Sequence, residues 1–289
     1  MTRPLPEMAP PPTQTPSTFG RLFAGLTLAE ALSRVEADIK RAPRTPTHRW
    51  LLFELLCVLG DWPRALKQLQ VCATLDDSMV PTAHVYRDLI RAECFRADVF
   101  AGKRRPGFIV EPPLWTAGLV AALALEQDGK PAEADAAREA SLNDAPLSAG
   151  TNDRASFQWI SDSDTRLGPV CEMVSAGHYR WLPFCQIALL DISGPERLVD
   201  LVWSPARVAL CDGTELRVYL MARYPGAEHG SDAERLARTT RWTEAGRTGV
   251  IGHGQKTWGT DRGDIGLLDA RTYRFGNAGG NWSMNRDDA

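Results

Sequence analysis

Residues 49–77 read RWLLFELLCVLGDWPRALKQLQVCATLDD, and their reading decides the first half of the fold. The opening part is apolar nearly all round, as in a helix packed on both sides. Gly60-Asp61-Trp62-Pro63 breaks it. A second helix starts near Pro63, because a proline in the first helical turn gives up only an N–H that had no partner there. Its apolar stripe is Leu66, Leu69 and Ala73. The stretch predicts a pair of helices joined by a glycine turn.

The same grammar extends outward. Thr27-Leu-Ala-Glu30 fits a capping box, in which each side chain satisfies the other residue's orphan N–H. Leu28, Leu32, Val35 and Ile39 then recur at helical spacing, and Pro43 lies just past the end. Trp115 to Leu125 is an apolar helix, Gly129-Lys130-Pro131 breaks it, and Ala132 to Leu142 is its partner. Ala31, Ala65 and Ala134 stand 34 and then 69 residues apart. Those spacings are close to one and two tetratricopeptide units of about 34 residues. Against this, Phe53 occupies a position where the repeat takes a small residue, and residues 82–104 keep a helix but lose the motif. A generic antiparallel helical array is the alternative. Either array presents a concave surface suited to peptides or helices.

After about residue 150 the helical period fades. LPFCQIALLDI (182–192) reads as a strand. Asp212-Gly213 between two apolar runs signals a hairpin, since both positions must tolerate positive φ. Leu216, Val218 and Leu220 alternate with Arg217 and Tyr219, as in a half-buried strand. The expectation is α+β: a helical tetratricopeptide-like array over 19–150, then a smaller α+β domain over 151–276 with a small antiparallel sheet. The proline-rich segment 1–18 is expected to stay disordered, and 277–289 to fray.

Composition narrows the function. With 289 residues, 44% hydrophobic, 24% charged and a net charge of −3, this is ordinary globular composition with no electrostatic case for nucleic-acid binding. The nearest basic cluster, Lys103-Arg104-Arg105, reads as a helix C-terminus. The six cysteines form no CxxC and have no zinc spacing; they read as small buried thiols in a reducing compartment. The N-terminus has six of the 20 prolines and no apolar secretory core, and no apolar run reaches the roughly 20 residues of a membrane span. A cytoplasmic protein is expected.

Chemical candidates are few. Asp162 and Asp164 stand two apart and could hold a divalent cation or share acid/base work, but no third ligand completes the shell. Arg166 offers a pairing partner, so a structural role is favoured: capping a helix that begins near Pro169, plus an ion pair. His178, beside Tyr179, Arg180 and Trp181, reads as packed or surface-exposed, and no serine-hydrolase elbow accompanies it. GVIGHGQKTWG (249–259) approaches a P-loop, but Gln255 intrudes before Lys256-Thr257 and the flanks read as strands. A glycine-rich β-turn explains it.

The blocks LFELLCVLGDWPRALKQLQ, FQWISDSDTRLGPVCEMV, HYRWLPF, DLVWSPA, ARYPG and WGTDRGDIGLLDAR resemble, in that order, the ImpE family, also called SciE-type or TagJ proteins. The resemblance spans about residues 25–275. It implies a non-enzymatic cytoplasmic adaptor of bacterial type VI secretion, with no cofactor or metal. The partners it implies are a helical segment of the small contractile-sheath subunit and the ClpV-type AAA+ ATPase. No catalytic residue carries over. Asp162, Asp164 and Arg166 then read as a polar lock between the two parts. In the tetratricopeptide register, Trp50, Glu54 and Val58 would face the groove that takes the partner's helix. Two rivals stand: a metal-assisted hydrolase using Asp162, Asp164 and His178, and a generic helical-repeat scaffold.

Overall fold

The structure, a computed structural model, describes residues 25–276. The segments 1–18 and 277–289, expected disordered and frayed, lie outside the described residues.

Six helices come first: α1 (Leu28–Arg41), α2 (Pro46–Leu59), α3 (Trp62–Leu75), α4 (Val80–Phe100), α5 (Thr116–Gln127) and α6 (Pro131–Asp144). The capping box is present: the Glu30 amide donates to Thr27 Oγ1 at 3.2 Å and the Thr27 amide to Glu30 Oε2 at 2.8 Å. Leu28, Ala31, Val35 and Ile39 form the buried stripe of α1. α2 is buried nearly all round, from Trp50 and Leu52 through Val58. It ends at Gly60 in the left-handed region, φ +72°, where a glycine carries no Cβ penalty. Asp61 then caps α3 by accepting from the Arg64 amide at 3.2 Å. Gly129 repeats the device between α5 and α6 at the same φ of +72°.

Fourteen strands are described: β1 (Gly107–Phe108), β2 (Gly150–Asn152), β3 (Ser156–Phe157), β4 (Ile160–Asp162), β5 (Val170–Ser175), β6 (His178–Pro183), β7 (Ile187–Ile192), β8 (Trp203–Leu210), β9 (Glu215–Met221), β10 (Thr240–Ala245), β11 (Gly249–Gly254), β12 (Thr257–Thr260), β13 (Gly263–Gly266) and β14 (Thr272–Phe275), with a one-turn helix α7 (Asp232–Arg235) before β10. Nine of them form one sheet in the order β1-β6-β5-β9-β8-β7-β14-β2-β3. Its ladders are antiparallel except β1 with β6. β10 and β11 make a hairpin, and β13-β12-β4 a third sheet.

The sheet separates two apolar cores. On one face, Val170, Val174, Tyr179, Trp181 and Met221 join residues of the helices, among them Phe53, Leu56, Tyr86 and Leu89. On the other, Cys171, Met173, Val208, Val218 and Leu220 pack with Trp258 and Tyr273. Period-two alternation does the sorting: β5 sends Val170, Glu172 and Val174 to the helices, and Cys171 and Met173 away from them. Burial on both faces explains why β5 reads as an apolar run interrupted only by Glu172.

The α+β class holds, with four corrections. The sheet is not small, because its short edge strands left little pattern. No helix begins near Pro169; β5 starts there instead, continuous with the apolar run VCEMV. The run 182–192 is not one strand: β6 ends at Pro183, and a 3-10 turn, Phe184–Gln186, precedes β7. Of the six cysteines only Cys57, Cys72 and Cys171 are buried; Cys94 and Cys211 are exposed and Cys185 is intermediate.

The two turn glycines differ in surroundings. A Cβ on Gly60 would lie 2.6 Å from Glu228 Cβ, whereas one on Gly129 would meet nothing within 4 Å. Gly129→Ala is expected to cost about 1 kcal/mol, the left-handed penalty alone, and Gly60→Ala about 2–3 kcal/mol. Paired denaturant titrations check the ordering.

Candidate functional site

The densest polar chemistry lies between the helices and the sheet. Glu172 is the one charged residue on the helix-facing side of β5, 1% exposed and set between Val170 and Val174. Arg96 of α4 meets it with a two-pronged fork, Nε to Oε2 at 2.8 Å and Nη2 to Oε1 at 2.5 Å. Tyr179 donates to Glu172 Oε2 at 2.6 Å, and Trp181 Nε1 donates to the Tyr179 hydroxyl at 2.7 Å.

Lys256 extends the chain of charges. It sits between β11 and β12, held by its amide on the Ala222 carbonyl at 2.9 Å. Its Nζ lies 2.7 Å from Glu172 Oε1, 2.8 Å from Asp162 Oδ2 and 4.5 Å from the centre of the Tyr224 ring. Asp162 Oδ1 accepts from the Tyr224 hydroxyl and the Asp164 amide, both at 2.9 Å. Asp164 in turn holds Arg166, Oδ1 to Nε at 2.9 Å and Oδ2 to Nη2 at 2.6 Å, while Oδ2 also takes the Gly252 amide at 3.0 Å. The Arg166 guanidinium stands 4.7 Å over the Phe100 ring at the end of α4.

Three carboxylates are thus set against Arg96, Lys256 and Arg166. Burial would raise Glu172, but Arg96 and Lys256 hold it down at about 2. Burial raises Asp162 to about 6, against the pull of Lys256, and it stays ionised at neutral pH. Burial opposes the charge on Lys256, but Asp162 and Glu172 keep its pKa above the usual lysine value. Every carboxylate oxygen of Glu172, Asp162 and Asp164 has a donor, so the network is satisfied as it stands.

Two further contacts cross the same boundary. Arg223, 3% exposed, donates to the Val58 carbonyl at 2.8 Å and to the Cys57 carbonyl at 3.4 Å. A cation there gives the Val58 carbonyl a donor, adds a second to the Cys57 carbonyl, which already accepts the Gly60 amide, and complements the dipole of α2. Asp135 of α6 accepts from the amides of Arg247 at 2.8 Å and Thr248 at 3.0 Å, gripping the turn of the β10–β11 hairpin.

The remaining sequence candidates fall elsewhere. Trp50, Glu54 and Val58 do not line an open groove; they are 1%, 1% and 0% exposed. Trp50 packs on Phe53 and Tyr86, with ring centres 4.8 and 5.5 Å away. The 3-10 turn Leu198–Leu201 packs against α2, so the second half fills the face a solitary array would leave open. Glu54 Oε1 has no partner, and burial, reinforced by Asp200, pushes Glu54 up to about 8. His178 is not with Asp162 and Asp164: it is exposed at the β5–β6 turn, its Nδ1 donating to the Ala176 carbonyl at 2.8 Å. Among the described residues no group of three or more His, Cys, Asp or Glu is arranged to hold a metal. Lys256 of the near-P-loop stretch points into the core. Sequence reasoning missed Arg96, Glu172, Arg223, Tyr224 and Lys256; the available signal was a lone acid inside VCEMV and a lone arginine inside AECFRADVF.

The family model described as ImpE protein matches residues 154–274. The type VI secretion system accessory component TagJ of Pseudomonas aeruginosa is 39% identical over 249 residues, covering 86% of this chain and 87% of that protein. The X-ray structure of a Vibrio parahaemolyticus protein superposes with a TM-score of 0.79 at 26% identity, over 86% of this chain and 94% of that one.

Two outcomes are expected from the site. Asp164→Ala leaves Arg166 and the Gly252 amide without their acceptor, and the melting temperature should fall by an amount equivalent to about 3 kcal/mol; an unchanged melt contradicts the structural role. Glu54 supplies a pH signature. Its folded pKa of about 8 lies above the unfolded value of about 4.3, so the native state keeps a proton that the unfolded chain has released. Stability is therefore lost as pH rises from about 4.5 through about 8. Glu54→Gln should match the parent near pH 4 and exceed it by about 4–5 kcal/mol near pH 8.5, read by denaturant titration at the two pH values.

Proposed function

The chain belongs to the ImpE family, and on that membership we propose that it is a non-enzymatic cytoplasmic adaptor of a type VI secretion system. It binds a helical segment of the small contractile-sheath subunit and links the sheath to the ClpV-type AAA+ ATPase. The observation that carries this reading is the near full-length match to TagJ, whose name makes it an accessory component of type VI secretion. One feature agrees with it. The buried acids spend their lone pairs on internal donors, which leaves them poorly placed for acid/base work. Among the described residues no helix is long and apolar enough to cross a membrane.

In this reading Asp162, Asp164 and Arg166, with Arg96, Glu172 and Lys256, lock the helical layer onto the sheet, so that a partner meets a surface of fixed shape. The partner's helix is not seated on Trp50, Glu54 and Val58, which belong to the core.

The test is calorimetric titration with the recombinant small sheath subunit of the same system, with and without its candidate helix. Binding at micromolar Kd or tighter, about −8 kcal/mol, that disappears with the helix is the expected outcome. An absence of heat at both low and physiological salt overturns the adaptor reading.

A further inference from the structure

Two of the three cysteines that are not buried are neighbours. Cys185 lies in the 3-10 turn Phe184–Gln186, and Cys211 is the first residue past β8, in the turn before β9. The Cys211 amide donates to the Gln186 carbonyl at 3.1 Å, which pins the two segments together at this point. The Cys211 thiol lies 3.6 Å from the Cys185 carbonyl oxygen. Cys211 is exposed and Cys185 partly so, so a small oxidant reaches the pair from solvent. We propose that Cys185 and Cys211 form a reversible disulfide site, oxidised by a hydroperoxide and restored by thiols.

The step balances with hydrogen peroxide. The Cys211 thiolate attacks one peroxide oxygen, the O–O bond breaks, and water leaves once the departing hydroxide takes a proton. The Cys185 sulfur then attacks the Cys211 sulfenic acid; the S–S bond forms, the S–O bond breaks and a second water leaves. Two thiols lose two electrons in all, and the peroxide gains them. A side-chain rotation at Cys211 turns its sulfur from the Cys185 carbonyl towards the Cys185 sulfur, within the reach of paired neighbouring backbones.

Partial burial raises both thiols above their ordinary value, helped at Cys211 by the Asp212 carboxylate and at Cys185 by Cys211 itself. Because the thiolate is the nucleophile, oxidation should be slow at neutral pH and accelerate close to tenfold per pH unit above it. The bond would tie the β8–β9 turn to the chain entering β7 and close a loop spanning residues 185–211. Cys94, on α4 beside Glu93 and Asp98, is the control for a surface thiol elsewhere on the molecule.

The test uses the full chain treated with hydrogen peroxide at stepped pH, then alkylated and digested without reductant. The expected product is a Cys185–Cys211 cross-linked peptide that dithiothreitol dissolves, together with a melting temperature raised by roughly 5 °C. Cys185→Ser and Cys211→Ser each abolish the cross-link, and Cys94→Ser leaves it intact. Because the parent protein alone yields the map, a variant that fails to fold does not blunt the test. A map in which Cys211 ends as sulfinic acid, or in which the disulfides formed are Cys94-linked dimers, overturns the proposal.

Discussion

The carboxylate of Glu172, pinned between the Arg96 fork and the Lys256 ammonium, is the contact on which the arrangement of this molecule turns. An ionised acid buried in an apolar layer is costly unless its charge is matched and its oxygens are filled. Here the acid and the two cations that match it come from three separate places: β5, α4 and the segment joining β11 to β12. Satisfying one carboxylate therefore fixes three pieces of chain against each other. Asp162, Tyr224, Asp164 and Arg166 extend the same constraint to Phe100, so both ends of the network reach α4. Such a network adds little net stability over an apolar one of the same shape, but it penalises every arrangement that leaves a member unpaired.

The apolar packing around it follows the same boundary. One core is shared by the helices and the sheet, and Trp203 stacks towards Trp62 and Tyr86 across the division at residue 150, with ring centres 5.7 and 6.3 Å away. Helix ends are satisfied from the far side as well: Arg223 covers the C-terminal carbonyls of α2, and Asp232 accepts the Leu28 amide at the start of α1 at 2.8 Å. A helical array of this size would normally present its concave face to solvent. In this chain the second half packs against α2 and α4 and shares one core with them.

That packing explains which features the sequence disclosed. The capping box, the Gly60 and Gly129 breaks and the Asp212-Gly213 turn were legible because each is decided within a few residues by backbone conformation. The α2 run was legible as a helix buried on both sides, but not the identity of its second neighbour, the turn at 198–201, which is distant in sequence. The groove assignment of Trp50, Glu54 and Val58 failed for that reason. Asp162, Asp164 and Arg166 were legible as a polar cluster because they lie within five residues; their anchors, Glu172, Lys256 and Arg96, were hidden because tertiary pairing leaves no local spacing. The apolar β5 hid its pattern by being buried on both faces, and the expected helix at Pro169 was misread from a proline that in fact precedes a strand.

For the proposed adaptor, a fixed junction means that force or binding at one half is transmitted to the other rather than absorbed by a hinge. Native-state hydrogen exchange followed peptide by peptide tests this most directly. The account predicts that the amides of α2 and α4 and those of β5 and β9 share one opening free energy and one denaturant dependence, as parts of a single cooperative unit. Exchange of the whole 28–144 helical region at a distinctly lower free energy, while β5 and β9 stay protected, would contradict it.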